Sequence, residues 1–193
     1  LTGANVGNAV FYRTRSGEMN AAGVPSALTP NYSIMPTTLS GGYLVGPDVN
    51  LNDANFTDSE FKNRNITGAL MERIIFDGAQ IGGGELIGPP DATSFPDYRY
   101  VQSSVSGGYI IGPRIDLSGA NLSNTDMSFT RIDEMNFTNV NFTNTHSGRL
   151  LVSPTQAPPI LPSPYRLILS SISGGYIVGP YVNMQDANLT NTD

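Results

Sequence analysis

The chain contains no cysteine and no tryptophan, and it has one lysine, Lys62, and one histidine, His146. Without cysteine there is neither a disulfide framework nor a thiolate metal site, so a stapled miniprotein and a zinc module are both excluded. Charge is scarce too: 13% of the residues are charged, the formal net charge is −6, and the basic residues are scattered. A phosphate backbone is held by a stripe of cations, so nucleic acid is not an expected partner. No apolar run approaches the roughly 20 residues that cross a bilayer, and no basic-then-apolar signal pattern opens the chain, so a body without a membrane span is expected. What remains is a neutral polar surface rich in Asn, Thr, Ser and Gly. That composition is more usual outside cells, so an extracellular or cell-surface location is expected. At 193 residues the chain is long enough to bury the core of one sizeable domain.

What the sequence does have is periodicity at two scales. Leu51, Phe56, Phe61, Ile66, Met71, Phe76, Ile81 and Leu86 follow one another every five residues. Small residues stand two places ahead of most of them, as at Val49, Ala54, Ser59, Ala69, Ala79 and Gly84. The frame returns at Leu117, Leu122, Met127, Ile132, Phe137 and Phe142, and again at Met184 and Leu189. A period of five is neither the 3.6 of a helix nor the 2 of a flat strand. A chain that turns a corner every five residues keeps the large residue and its small partner inward and sends the other three to water. Asn, Asp and Gly beside each apolar centre suit such corners. Arg64 and Ile74 stand where small residues are expected, and Ser147 where a large apolar one is, so irregular packing is expected there. Arg64 must snorkel out or bulge its corner.

The units Ala54-Asn55-Phe56-Thr57-Asp58, Ala120-Asn121-Leu122-Ser123-Asn124 and Ala187-Asn188-Leu189-Thr190-Asn191 resemble the pentapeptide-repeat family. The resemblance covers roughly two thirds of the chain. It implies an all-β fold, a right-handed quadrilateral β-helix with four pentapeptides per coil, here interrupted by hairpin and proline-loop inserts. The structural core implied is Leu51, Phe56, Phe61, Ile66, Met71, Phe76, Ile81, Leu117, Leu122, Met127, Ile132, Phe137, Phe142, Met184 and Leu189.

The longer period is about 66 residues: Ser40-Gly41-Gly42-Tyr43, Ser106-Gly107-Gly108-Tyr109 and Ser173-Gly174-Gly175-Tyr176 each run on into Gly-Pro. Another tyrosine, Tyr32, Tyr98 or Tyr165, stands eleven residues before each of these. The intervening composition predicts a β-hairpin, with the Gly-Gly pair as its reversal. Proline-bearing loops ahead of each hairpin cannot join a ladder and must run outside the core. The expected organisation is pentapeptide coils over 1–22, a first module over 23–88, a second over 89–152 and a third beginning at 153–193. The five-residue frame also runs unbroken from Asp193 back to Leu1. End-to-end stacking is therefore expected, with Leu1, Val6, Leu189 and Asp193 at the junction, either between protomers or within a longer tandem array.

No residue set predicts catalysis or a cofactor. His146 has no paired histidine or cysteine, which makes a turn histidine the expected reading. Asp48, Asp53 and Asp116 lack the spacing of a calcium loop. A glycosidase would need a carboxylate pair that stands out from the decoration, and none does. Asn31, Asn55, Asn65, Asn121, Asn136, Asn141 and Asn188 head Asn-X-Ser/Thr triplets, candidate N-glycosylation sites, although such triplets are also what the repeat itself looks like. Some pentapeptide-repeat proteins resemble acidic duplexes and bind DNA gyrase. Asp58, Glu60, Asp116, Asp126, Asp133 and Glu134 would be the rungs here, but Arg64, Arg73, Arg114, Arg131 and Arg149 interrupt them. Tyr43, Tyr109 and Tyr176 are expected to cover the hairpins against the coil wall. The expected function is therefore structural: a self-associating fibre, with gyrase mimicry and a carbohydrate-active β-helix as the alternatives.

Overall fold

The computed structural model of the chain describes residues 5–15, 19, 25, 27–37, 41–92, 94–95, 97–104, 107–190 and 192. Among these residues there is no helix. The fold is β-helix-like, and its elementary unit is a corner. The C=O of most large inward residues accepts the N–H three residues on: Ala54 N to Leu51 O at 3.0 Å, Ser59 N to Phe56 O at 3.1 Å, Ala120 N to Leu117 O at 2.9 Å. The third residue of each turn is left-handed, with φ of 65° at Asp53, 54° at Asp58 and 56° at Asn124. Asn and Asp tolerate that region and Gly is free in it, which explains their recurrence at this place. The residue before the inward one is tied as well, since the Oδ1 of Asn55 accepts the N–H of Thr57 at 3.0 Å and that of Asn136 accepts Thr138 N at 3.0 Å. Every letter of the Ala-Asn-Leu-Thr-Asn unit thus has a local reason.

Corners stack through parallel bridges. Asn50 pairs with Leu70, Asn55 with Ile75, Glu60 with Gln80, Asp116 with Asn136, Asn121 with Asn141 and Asp126 with His146. Each offset is twenty residues, or four units of five. The backbone hydrogen bonds are short and regular, as in Phe56 N to Ile75 O at 2.8 Å and Ile75 N to Ala54 O at 3.0 Å. Between these ladders run the large residues. Leu51, Phe56, Phe61, Ile66, Phe76, Ile81, Leu117, Leu122, Met127, Ile132, Phe137 and Phe142 are fully buried, and Met71 is nearly so. Phe56, Phe61 and Phe76 pack with ring centroids 4.8 to 5.7 Å apart, a favourable aromatic spacing. Inward polar residues satisfy themselves: Thr125 Oγ1 donates to Leu122 O and Thr130 Oγ1 to Met127 O, both at 2.6 Å.

Short strands mark the inserts. Strand β1 (Asn5–Val6) pairs in parallel with β2 (Ala27–Leu28). The hairpins are β3 (Ser33–Thr37) with β4 (Gly41–Val45), β6 (Tyr98–Gln102) with β7 (Gly108–Ile111), and β8 (Arg166–Ser170) with β9 (Gly174–Val178). A two-residue strand, β5 (Ser94–Phe95), extends the middle one. The Gly-Gly pair is not the reversal that its composition suggests. In the third hairpin the turn lies before it, at 171–173, and Gly174 and Gly175 already pair with Ser170 and Leu169. The second glycine of each pair has another task. Gly42, Gly108 and Gly175 exchange two backbone hydrogen bonds with Met19, Leu86 and Leu150, at 2.6 to 3.1 Å, docking each hairpin on the coil. A side chain at Gly108 would collide with the phenol of Tyr100.

The irregular positions are accommodated in different ways. Ile74 is buried without disturbing its ladder. Ser147, in a large-residue position, is 1% exposed: its Oγ donates to Ile177 O at 2.9 Å and accepts Ile177 N–H at 3.1 Å, so the hairpin's isoleucine fills the space. At Gly82–Gly84 the register slips by two, and Asn65 bridges Ile87. Met184 is half-buried and Leu189 is 42% exposed, because among the described residues no coil stacks over them. Val6 is half-buried, while Leu1 and Asp193 lie outside the described residues.

Candidate functional site

The most elaborate constellation is the seam where each hairpin meets the coil stack, and it is built three times. The first tyrosine of each insert lays its ring on a coil phenylalanine: Tyr32 on Phe11 at 5.0 Å, Tyr98 on Phe76 at 5.4 Å and Tyr165 on Phe142 at 5.1 Å between centroids. Beneath each ring sits the glycine of the Gly-Pro pair, Gly46, Gly112 or Gly179, where a Cβ would enter the ring. Tyr32 and Tyr165 donate to Pro47 O at 2.9 Å and Pro180 O at 3.3 Å. Burial pushes the phenols of Tyr32 and Tyr98 above their ordinary value. The second tyrosine points its phenol at the coil, where Tyr43, Tyr109 and Tyr176 accept the backbone N–H of Asn55, Asn121 and Asn188 at 3.1 to 3.2 Å. These are fastenings rather than reactive groups.

His146 was expected to be a turn histidine, and the structure places it in a ladder. It bridges Asp126 on one side and Asn183 on the other. Its Nε2 faces the carbonyl of Gln185 at 3.1 Å, which accepts only, so Nε2 carries a proton. Ser128 Oγ lies 2.9 Å and Asp126 Oδ1 3.3 Å from its Nδ1. A hydrolytic triad puts serine and aspartate on opposite ring nitrogens. Here they share one, so the arrangement ties three coil levels together and does not activate the serine. Burial pushes the Asp126 carboxyl up, but the Ser128 hydroxyl and N–H, with His146, hold it below the ordinary value on balance.

The acidic residues are engaged rather than arrayed. Asp53 receives Arg73 from the next coil level at 2.6 and 3.0 Å and Arg15 at 3.3 Å, and its carboxyl is held low chiefly by Arg73. Arg114 pairs with Asp77 at 2.8 Å. Arg131 clasps Asp97 at 2.8 Å and Asp133, 1% exposed, at 2.7 Å. Of the candidate rungs, Glu60 is held by Lys62 at 2.5 Å, while Asp116 and Asp126 cap the N–H groups of Ser118 and Ser128 at 2.8 Å. Asp58 and Glu134 sit at left-handed corners with φ of 54° and 57°. Among the described residues no group of three or more carboxylate or histidine side chains could hold a metal ion.

The sequon asparagines lie along the outer wall. Asn31, Asn141 and Asn188 are exposed, whereas Asn55, Asn65, Asn121 and Asn136 are half-buried. The Oδ1 of Asn55, Asn65, Asn121 and Asn136 accepts both the N–H and the hydroxyl of the residue two places on. Asn141 Nδ2 donates to Asn121 Oδ1 at 3.2 Å, and Asn144 to Asn124 at 2.9 Å, forming an amide ladder between levels.

The corner, the twenty-residue ladder and the inward residue every fifth place identify the repeat, and a family model for pentapeptide repeats matches residues 114–145 with 8 copies. The chain carries pentapeptide repeats. The matched segment is the second coil block, and the pentapeptide geometry of bridges and left-handed corners is the same in the first, from Asn50 to Gln80. No curated protein and no solved structure is matched by the chain. Among the described residues no helix is long and apolar enough to cross a membrane.

Proposed function

We propose that this pentapeptide-repeat chain is a structural protein: a stiff rod that extends into a fibre by end-to-end stacking of its coils, outside the cell or at its surface. The observation that carries the reading is the behaviour of the ladder at the inserts. Arg15 bridges Asn50, Gln80 bridges Asp116 and His146 bridges Asn183, offsets of 35, 36 and 37 residues. At three places, then, a hairpin leaves the wall and the ladder resumes beyond it, whereas the proline-bearing segments, expected outside the ladder, take part in it: Ala27 pairs with Asn5, Pro89 O accepts Gly68 N–H and Ile160 bridges Asn136. The buried core is likewise one cluster, from Met35 to Ile177. Quasi-one-dimensional stacking of this kind lengthens without limit as modules are added. The twenty-residue offset, four units of five, supports a four-sided coil, and the right hand is the one the family resemblance implies. The three re-entries support modules bounded at 23–88, 89–152 and 153–193, after coils over 1–22.

The unpaired backbone that any β-helix end presents supports self-association. The exposed Asn31, Asn141 and Asn188 are the sequons most open to glycosylation. The rod works by shape, without catalysis or cofactor, and intercoil pairing of its acids argues against an acidic duplex mimic. Electron microscopy and sedimentation across a range of concentrations test the proposal. Rods that lengthen with concentration are expected. Discrete particles of constant mass at every concentration would refute end-to-end assembly.

A further inference from the structure

We propose that Arg64 and the cleft beside it form a binding site for a small oxyanion, a carboxylate or sulfate group carried by a ligand or free in solution. Arg64 occupies an inward position that small residues fill elsewhere. Its counterpart one module on, Thr130, is 1% exposed and satisfied by Met127 O. The Arg64 Nε is buried with no hydrogen-bond partner. Arg13, Arg15, Arg73, Arg114, Arg131 and Lys62 each have a carboxylate within 4 Å, but among the described residues Arg64, like Arg99, Arg149 and Arg166, has none; Arg99 is held by the Ser128 carbonyl and Arg149 lies over the Phe129 ring. Glu60, the nearest acid in sequence, is taken by Lys62, and Arg64 is the weakest of the influences on it. Arg64 as a whole is half-buried, but a buried guanidinium N–H without an acceptor is costly and calls for one.

The cleft has a volume of about 170 Å³ and is lined by Asn31, Tyr32, Ser33, Asn63, Arg64 and Asn65, with Ile87 at its edge. The Oδ1 of Asn65 is occupied by Thr67, and that of Asn63 lies 3.3 Å from the N–H of Glu85. Their amide NH2 groups remain as donors, as does the Ser33 hydroxyl. A guanidinium fork flanked by neutral donors, with no acid, is the chemistry that recognises a planar or tetrahedral oxyanion.

The second module serves as an internal control. Sixty-six residues on, Asn31, Asn65 and Thr67 become Asp97, Arg131 and Asp133. There the cation is neutralised from within, with Arg131 held by both aspartates. In the first module the cation is kept, one place along, and both carboxylates are replaced by neutral side chains. Asn31, with φ of 72°, has the same left-handed backbone as Asp97 at 69°, so a carboxylate would fit there without backbone change.

Isothermal titration calorimetry with sodium sulfate, phosphate, acetate and glucuronate, at ionic strength matched with sodium chloride, tests this. Saturable binding of at least one oxyanion is expected, lost in Arg64→Met and at least about tenfold weaker in Asn31→Asp, which supplies the internal partner. Glucuronate binding more tightly than acetate would identify an acidic sugar as the source. Equal affinities would identify the lone oxyanion. No saturable heat with any probe, or unchanged affinity in Asn31→Asp, would overturn the site. The Asn31→Asp arm stands even if Arg64→Met does not fold, and neither depends on whether the rods assemble.

Discussion

The phenol of Tyr109 accepts the backbone N–H of Asn121 at 3.1 Å, twelve residues further along the chain, and Tyr109 is 1% exposed. The same bond joins Tyr43 to Asn55 and Tyr176 to Asn188, so it is the fastening that fixes each hairpin's register on the coil that follows it. Tyr109→Phe keeps the ring and removes only the acceptor. It strands a backbone donor, so a loss of about 1–3 kcal/mol is expected. The urea midpoint should fall with its slope unchanged.

The Gly-Pro glycines are held by the other tyrosine. At Gly112 a Cβ would enter the Tyr98 ring and lie 2.6 Å from the carbonyl of Asp97. Gly112→Ala should therefore cost about 1–3 kcal/mol, as overpacking does. Gly83, with nothing within 4 Å of a Cβ but a φ of +71°, isolates the backbone contribution. Gly83→Ala is expected to cost about 1 kcal/mol, and a larger loss there than at Gly112 would count against the ring-contact explanation.

The five-residue frame was legible because large and small inward residues alternate through most of each coil block, and burial follows that frame from Leu51 to Leu86 and from Leu117 to Phe142. The tyrosine pairs were legible as a repeat but not as geometry. Nothing local in Ser-Gly-Gly-Tyr says that its glycines pair with Leu86 or Leu150, since those contacts join segments more than twenty residues apart. For the same reason Gly-Gly read as a turn when it begins a strand. His146 looked isolated because its partners, Asp126 and Gln185, are one coil level away in either direction and far off in sequence. Arg64 was visible as a break in the pattern. Its lack of a counterion became visible only once the second module's Arg131–Asp97 pair was on view.

Register, not composition, decides what a phenylalanine contributes. Phe137 is fully buried with its ring 5.5 Å from that of Phe142, whereas Phe129 sits at a left-handed corner, 58% exposed, beneath the Arg149 guanidinium. Phe137→Ala should lose about 3–5 kcal/mol. Phe129→Ala should stay within about 0.5 kcal/mol of the parent, as surface changes do. Thermal melts of the two variants side by side would show the contrast. Equal losses would contradict the assignment of inward and outward positions.

Acid should loosen the stack, and the direction follows from which carboxyls are held low. Asp53, chiefly through its bond to Arg73, and Glu60, chiefly through Lys62, titrate below their ordinary values of 3.8 and 4.5. Asp126 is pushed up by burial but is lowered on balance by Ser128 and His146, also below 3.8. A carboxyl whose folded-state value is depressed contributes stability that is fully present above its unfolded value and is lost as pH falls through the folded one. Through these groups, stability should therefore hold from neutral pH to about 5 and decline below about 4. Asp126→Asn keeps an oxygen for the Ser128 N–H but removes the charge. It should be less stable than the parent at pH 7, with the gap closing below pH 3.8, where the parent's own Asp126 becomes protonated. Because that side chain is 58% exposed, solvent screens its interactions and the gap will be small, so its closing rather than its size is the readout. Urea midpoints of both proteins from pH 7 to pH 2 measure it. A gap that stays constant across that range would mean that the Asp126 charge plays no part in holding the three levels together.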